Sequence, residues 1–143
     1  MRFWDSSAIV PVVIEQSSTP LARSWLAEDA ELAVWTLTAT EVLSALCRLR
    51  REGEIDDKGV AQAETLAAEL LARARIVADV ELVKATAARL LRAHVLRVAD
   101  ALQLAAALAW AAGDPRGRTG HSLDGRLGLA ARREGFRVVP VRE

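Results

Sequence analysis

Four carboxylates interrupt apolar sequence in this chain: Asp5, Glu41, Asp100 and Asp124. Asp5 follows Phe3-Trp4. Glu41 breaks the run from Trp35 to Leu46. Asp100 opens Ala-Asp-Ala-Leu-Gln-Leu-Ala-Ala-Ala-Leu-Ala-Trp110, and Asp124 lies within Ser122-Leu-Asp-Gly-Arg-Leu127. A buried ionised carboxylate is costly unless something pairs with it. Four that converge would repel one another, and a divalent cation is the natural remedy. An all-oxygen donor set favours Mg²⁺ or Mn²⁺. Such ions promote phosphodiester hydrolysis by activating water and stabilising charge on the phosphate.

Taken singly, each acid has a plainer explanation. Asp5, with Ser6 and Ser7, can cap a helix, and Asp124 can cap a helix over 125–134. Asp100 suits the first turn of a helix, where the dipole favours an acid. Glu41 can be a surface residue at the edge of an apolar stripe. Their joint placement is the stronger signal. Asp5 ends one predicted strand, Glu41 follows a second, Asp100 begins a helix and Asp124 follows a fourth strand. In open parallel sheets, sites form beyond the carboxyl ends of the strands. The remaining acids, such as Glu28-Asp29, Glu52, Glu54, Asp56-Asp57, Glu64 and Glu69, fall at helix ends or on polar faces.

The elements that must position these acids alternate along the chain. Strands are expected at 2–4, 32–35, 75–78, 119–123 and 136–141, the fourth weakened by Gly120 and His121. Helices are expected up to Ile14, over 19–28 with Pro20 in its first turn, and up to about Arg51. Further helices are expected from Asp56-Asp57 to about Arg73, from Asp79 to about Arg92, over 98–112, and from Leu123 to Glu134. Thr36, Thr38 and Thr40 are candidate caps for the third helix, whose stripe reads Ala39, Val42, Leu43, Leu46 and Leu49. Trp25 and Trp35 fit either core or a partner surface. Gly113-Asp-Pro-Arg-Gly-Arg-Thr-Gly120 is the clearest loop. Alternating strands and helices predict an α/β fold with a mainly parallel sheet.

Bulk composition narrows the function. The chain has 143 residues, enough for one domain over 1–143, and is 52% hydrophobic, so it should fold around a core. Its formal net charge of +0 excludes nucleic-acid binding by bulk charge but leaves room for a local basic groove. Lys58 and Lys84 are the only lysines. Arginine supplies the other cations, and its fork suits phosphate. Arg48, Arg97 and Arg126, near the acids in sequence, are candidates to hold a substrate's phosphate backbone. The single Cys47 allows no internal disulfide, which makes the cytoplasm the expected compartment. His94 and His121 form no zinc pattern; His121 is expected to be structural or at the surface. Residues 101–112 are too short to span a bilayer and read as a core helix.

Asp-Ser-Ser-Ala at 5–8, Thr-Glu-Val-Leu-Ser-Ala-Leu-Cys-Arg around Glu41, Leu-Arg-Val-Ala-Asp-Ala-Leu-Gln-Leu-Ala at 96–105, and Asp124 with the sequence running on to Phe136 resemble the PIN-domain family. Within it they look most like the VapC toxins of bacterial type II toxin–antitoxin modules. The resemblance covers nearly the whole chain. It implies a three-layer α/β/α sandwich and a Mg²⁺-dependent endoribonuclease. It makes Asp5, Glu41, Asp100 and Asp124 the acidic quartet, with Ser7 and Ser122 as supporting polar positions. It also implies a homodimer and a cognate VapB-like antitoxin, through which alone operator DNA is bound. The family's usual apolar strand ending in Thr-x-Asp is replaced here by Arg118-Thr-Gly-His-Ser-Leu-Asp124.

The expected reaction is metal-assisted hydrolysis of RNA, with water attacking phosphorus in line and leaving 5′-phosphate and 3′-hydroxyl ends. Two rivals stand beside it. One is an aspartyl phosphotransferase-like protein with Asp5 as nucleophile, for which a second neighbouring acid and a placed lysine are missing. The other is a PIN-like module that binds RNA or protein without cutting.

Overall fold

The structure, a computed structural model, describes residues 1–141. Its elements run β1 (Arg2–Trp4), α1 (Ser6–Val13), α2 (Thr19–Glu28), β2 (Leu32–Trp35), α3 (Thr38–Arg51), α4 (Asp57–Leu71), β3 (Arg75–Val77), α5 (Val80–Ala93), α6 (Val98–Trp110), β4 (Thr119–His121), α7 (Gly125–Glu134) and β5 (Arg137–Val139).

The five strands form one sheet in the order β3-β2-β1-β4-β5, and every pairing is parallel. The expected mainly parallel sheet is therefore wholly parallel. Side chains alternate across it. Phe3, Ala33, Trp35 and Val138 enter one core with α5, α6 and α7. Trp4, Leu32 and Val34 enter the other with α1 to α4. Both faces are thus covered, as parallel sheets require, and the result is the α/β/α sandwich. Trp4, Ile9, Leu46, Leu90 and Leu104 are fully buried, each worth about 1.5–3 kcal/mol of apolar transfer.

The strand order also locates the site. From β1 the sheet grows through β2 to β3 on one side. It then resumes on the other side with β4 and β5, leaving a switch point between β1 and β4. Crevices open at such points beyond the carboxyl ends of the strands. Asp5 leaves β1 there, and Ser122 to Asp124 leave β4 there.

Several local expectations are corrected. None of Thr36, Thr38 or Thr40 caps α3; Leu37 holds the cap position without a side-chain bond. Ala39 and Leu43 lie on the exposed side of α3, while Thr38, Val42, Leu46 and Leu49 form the buried stripe. The strands expected over 75–78, 119–123 and 136–141 are shorter, because Ala78, Ser122, Leu123, Phe136, Pro140 and Val141 fall outside the ladders. The helix expected over 98–112 ends at Trp110, and the last helix begins at Gly125 rather than Leu123 because Asp124 caps it. Trp25 and Trp35 are both core.

Candidate active site

Each acid reaches the crevice by a local device. Asp5 ends β1 in an extended conformation (φ −81°, ψ 170°) and caps α1, its Oδ1 accepting the Ala8 N–H at 3.1 Å. Glu41 lies in the first turn of α3 and Asp100 in the first turn of α6. Asp124 caps α7, its Oδ1 accepting the Leu127 N–H at 2.8 Å. The capping explanations for Asp5 and Asp124 are therefore true, and they do not exclude a site, because a cap fixes a carboxylate without consuming both oxygens.

All four acids line one cleft of about 460 Å³, together with Ser6, Ser7, Gln16, Ser44, Arg48 and Gln103. A second recess shares Asp100 and Asp124 with it and is completed by Arg97, Ala99, Gly125 and Arg126. All three arginines singled out in the sequence thus line the crevice, and all three are exposed.

Asp5 is the most constrained acid, with 4% of its surface exposed. Ser7 donates to its Oδ1 at 2.5 Å and Ser122 to its Oδ2 at 2.6 Å. The Ser7 hydroxyl also accepts the Leu123 N–H, and the Ser122 hydroxyl accepts the Asp124 N–H. Ser122 thereby ties the β4 end to the β1 end. Burial pushes the Asp5 carboxyl up to about 6, against the pull of these three donors; the charge of Asp124 adds to the rise. Asp100 is also held above its ordinary value, first by burial and then by Asp124, with Arg97 and Arg126 opposing. Glu41 is raised by burial and by Asp100, while Ser6 and Gln103 oppose. Among the described residues none of the four acids forms a salt bridge within 4.0 Å. Mutual repulsion without a bonded counter-charge is the electrostatic signature of a cation site.

The donor set suits a hard divalent ion. Among the described residues no three acids stand together at ligand distance of one point. An ion in the cleft would meet at most two of the acids directly and reach the others through water, a mode open to Mg²⁺.

Three further residues, not expected at the site from the sequence, hold Glu41 directly or through one another. Ser6 donates to Glu41 Oε2 at 2.8 Å. Gln103 donates to the same oxygen and to Thr38 Oγ1, each at 3.2 Å. Gln103 was visible as the one amide in an alanine-rich helix. Ser6 and Thr38 carried no comparable signal. His121 is structural: it is buried, stacked on Trp25 at 4.4 Å and beside Trp4.

A family profile described as the PIN domain matches residues 2–112. The chain belongs to the PIN-domain family. Two curated Mycobacterium tuberculosis proteins, Ribonuclease VapC45 and Ribonuclease VapC49, are each 36% identical to it over 140 residues, covering 97% of this chain and 94% of theirs. Within the family this PIN domain is of the VapC type. Solved structures agree on the fold. Mycobacterium tuberculosis VapC20, described as a sarcin-ricin loop cleaving toxin, has a TM-score of 0.67 at 19% identity, with 100% of each chain covered. FitAcB from Neisseria gonorrhoeae has a TM-score of 0.65 at 17% identity, with 96% of each chain covered.

Proposed function

We propose that residues 1–143 form one PIN domain acting as the endoribonuclease toxin of a VapBC-type pair. The observation that carries this reading is the cleft at the β1/β4 switch point, lined by four carboxylates without a bonded counter-charge and rimmed by arginines. The ribonuclease names of its VapC relatives support it.

Asp5, Glu41, Asp100 and Asp124 would hold Mg²⁺, or Mn²⁺ in its place. When bound, the ion supplies water activation and charge stabilisation at the phosphate. Ser7, Ser122 and the Ala8 N–H keep the Asp5 carboxylate in one orientation. Arg97 and Arg126 face one end of the acid row and Arg48 another, so RNA phosphates can be gripped on both flanks of the acids. The reaction leaves 5′-phosphate and 3′-hydroxyl ends. A cognate VapB-like antitoxin restrains the enzyme and carries the operator-DNA contact, and the toxin works as a cytoplasmic homodimer. Among the described residues no helix is long and apolar enough to cross a membrane.

The test is induction of the wild type and of Asp5→Asn in cells, with cleavage ends mapped on total RNA. Discrete new 5′-phosphate ends under the wild type alone support the proposal. Identical end maps refute it. The second reading, a PIN-like module that binds without cutting, draws on the departure before Asp124, where Gly120 and His121 stand in the strand that leads to it. It predicts RNA or partner binding with no Mg²⁺-dependent cleavage.

A further inference from the structure

We propose that Gln103 is a positioning residue of the acid cleft: its side-chain amide locks one oxygen of Glu41 and leaves the other facing the cation. The proposal rests on the reading of the cleft as a cation site.

Between Val98 and Trp110, α6 is apolar except for Asp100 and Gln103. Gln103 is 2% exposed, among Ala101, Leu104, Ala105 and Ala106. An amide in such surroundings is unfavourable unless it is bonded. It stands three residues after Asp100, so both occupy one face of the helix. Both line the cleft with Glu41.

The amide's bonds have a direction. Nε2 donates to Thr38 Oγ1 and to Glu41 Oε2, both on α3. Ser6, on α1, donates to that same Oε2. One Glu41 oxygen is therefore held from two sides. Among the described residues no hydrogen bond is made to the other, Oε1. The amide's own oxygen, Gln103 Oε1, is buried with no partner. Turning the amide over would set that oxygen against a carboxylate, which can only accept. The orphaned oxygen thus marks the Glu41 contact as the one that dictates the orientation, since an unpaired buried carbonyl is otherwise disfavoured. The same two bonds are the side-chain hydrogen bonds joining α6 to α3 among the described residues. They couple the helix carrying Asp100 to the helix carrying Glu41. A carboxylate with one oxygen saturated meets a hard cation through the other in a single orientation, which is how outer partners tune a metal site.

The test measures Mn²⁺ binding to the full chain by isothermal titration calorimetry without RNA. Gln103→Met keeps length and approximate volume but removes both donors. It should weaken Mn²⁺ binding about 10-fold or more. In a Glu41→Gln background the same change should cost less than about 2-fold, because no carboxylate remains to be positioned. With RNA, kcat should fall while KM changes little. Wild-type affinity in Gln103→Met, or an equal loss in both backgrounds, would overturn the proposal and leave Gln103 as core packing. Should Gln103→Met fail to fold, Thr38→Val removes the amide's other anchor and is read in the same two backgrounds by the same criterion. A wild type that takes up no Mn²⁺ refutes the cation-site reading and the proposal with it; a wild type that binds, with an equally tight Gln103→Met, refutes the proposal alone.

Discussion

Replacing Asp5 with asparagine should stabilise this protein at neutral pH while removing its activity. Burial raises the Asp5 carboxyl from 3.8 to about 6. Each unit corresponds to about 1.36 kcal/mol, so the ionised form burdens the metal-free fold by about 3 kcal/mol well above pH 6. The folded protein holds this proton more tightly than the unfolded chain does. Asp5 therefore contributes fully below pH 3.8, and that contribution is lost as pH rises through about 6. Asparagine fits the same cage. Its oxygen can accept from Ser7 and the Ala8 N–H, and its amide can donate to Ser122, whose hydroxyl can turn toward the Asp124 carbonyl at 3.4 Å. At about 2.1 cal/mol/K of unfolding entropy per residue, 3 kcal/mol corresponds to about 10 °C in Tm. Urea unfolding in EDTA from pH 4 to 8 is the assay. The gap between variant and wild type should be near zero at pH 4 and largest above pH 7. Adding Mg²⁺ to about 100 times its Kd should restore roughly 2.7 kcal/mol to the wild type alone. A variant less stable than wild type at pH 7.5, or a gap independent of pH, would show that the Asp5 charge does not burden the fold.

The other predictions concern groups around the cleft and the far end of the fold. His121 is held down at about 4, by burial first and then by Arg2; the Arg2 guanidinium, 3.4 Å from Nε2, can only donate, so that nitrogen accepts from a neutral ring. Its contribution is present above pH 6.5 and lost as pH falls through about 4, opposing Asp5, so Asp5→Asn should itself gain stability across that window; an NMR titration midpoint of 6 or above for His121 would contradict this. Arg126→Ala should weaken RNA binding at all sequences and reduce the slope of log K against log salt by about 0.7–0.9, and an unchanged slope would remove Arg126 from the phosphate path. Glu134 joins α7 to α5 through a two-pronged pair with Arg89 at 3.1 and 2.9 Å and a 2.7 Å contact to His94; because Arg89 is exposed, Glu134→Gln should cost only about 1 kcal/mol, or about 3 °C in Tm, measured by thermal unfolding.

The elements were legible where local chemistry and packing agree. Leu32–Trp35 is apolar at every position because both sheet faces are covered, and Thr19–Glu28 carries its start signal in Pro20. The α3 cap departs from expectation: three threonines near a helix start imply a side-chain cap, whereas Thr38 faces Gln103. Ala39 and Leu43 fit a helical period, but α3 packs through Thr38, Val42, Leu46 and Leu49, and the period alone does not choose between adjacent faces. Thr119–His121 forms a strand despite Gly120, because β1 and β5 pair with it on both sides and override its weak propensity. The acids were visible as charges in apolar sequence. Their convergence depended on the β1/β4 switch point, and Gln103 and Ser6 on side-chain orientation, neither of which a linear pattern encodes.

The most direct measurement is cleavage of end-labelled RNA by the purified chain, wild type beside Asp100→Asn, in Mg²⁺ and in EDTA. Asp100 is half-buried in the cleft and its carboxylate meets the Arg97 backbone N–H at the start of α6; an asparagine oxygen can accept the same bond, so the neutral isostere should leave the fold intact. Cleavage to 5′-phosphate products is expected from the wild type in Mg²⁺ alone, and none from a folded Asp100→Asn. Equal cleavage by the variant, or undiminished cleavage in EDTA, would contradict this expectation.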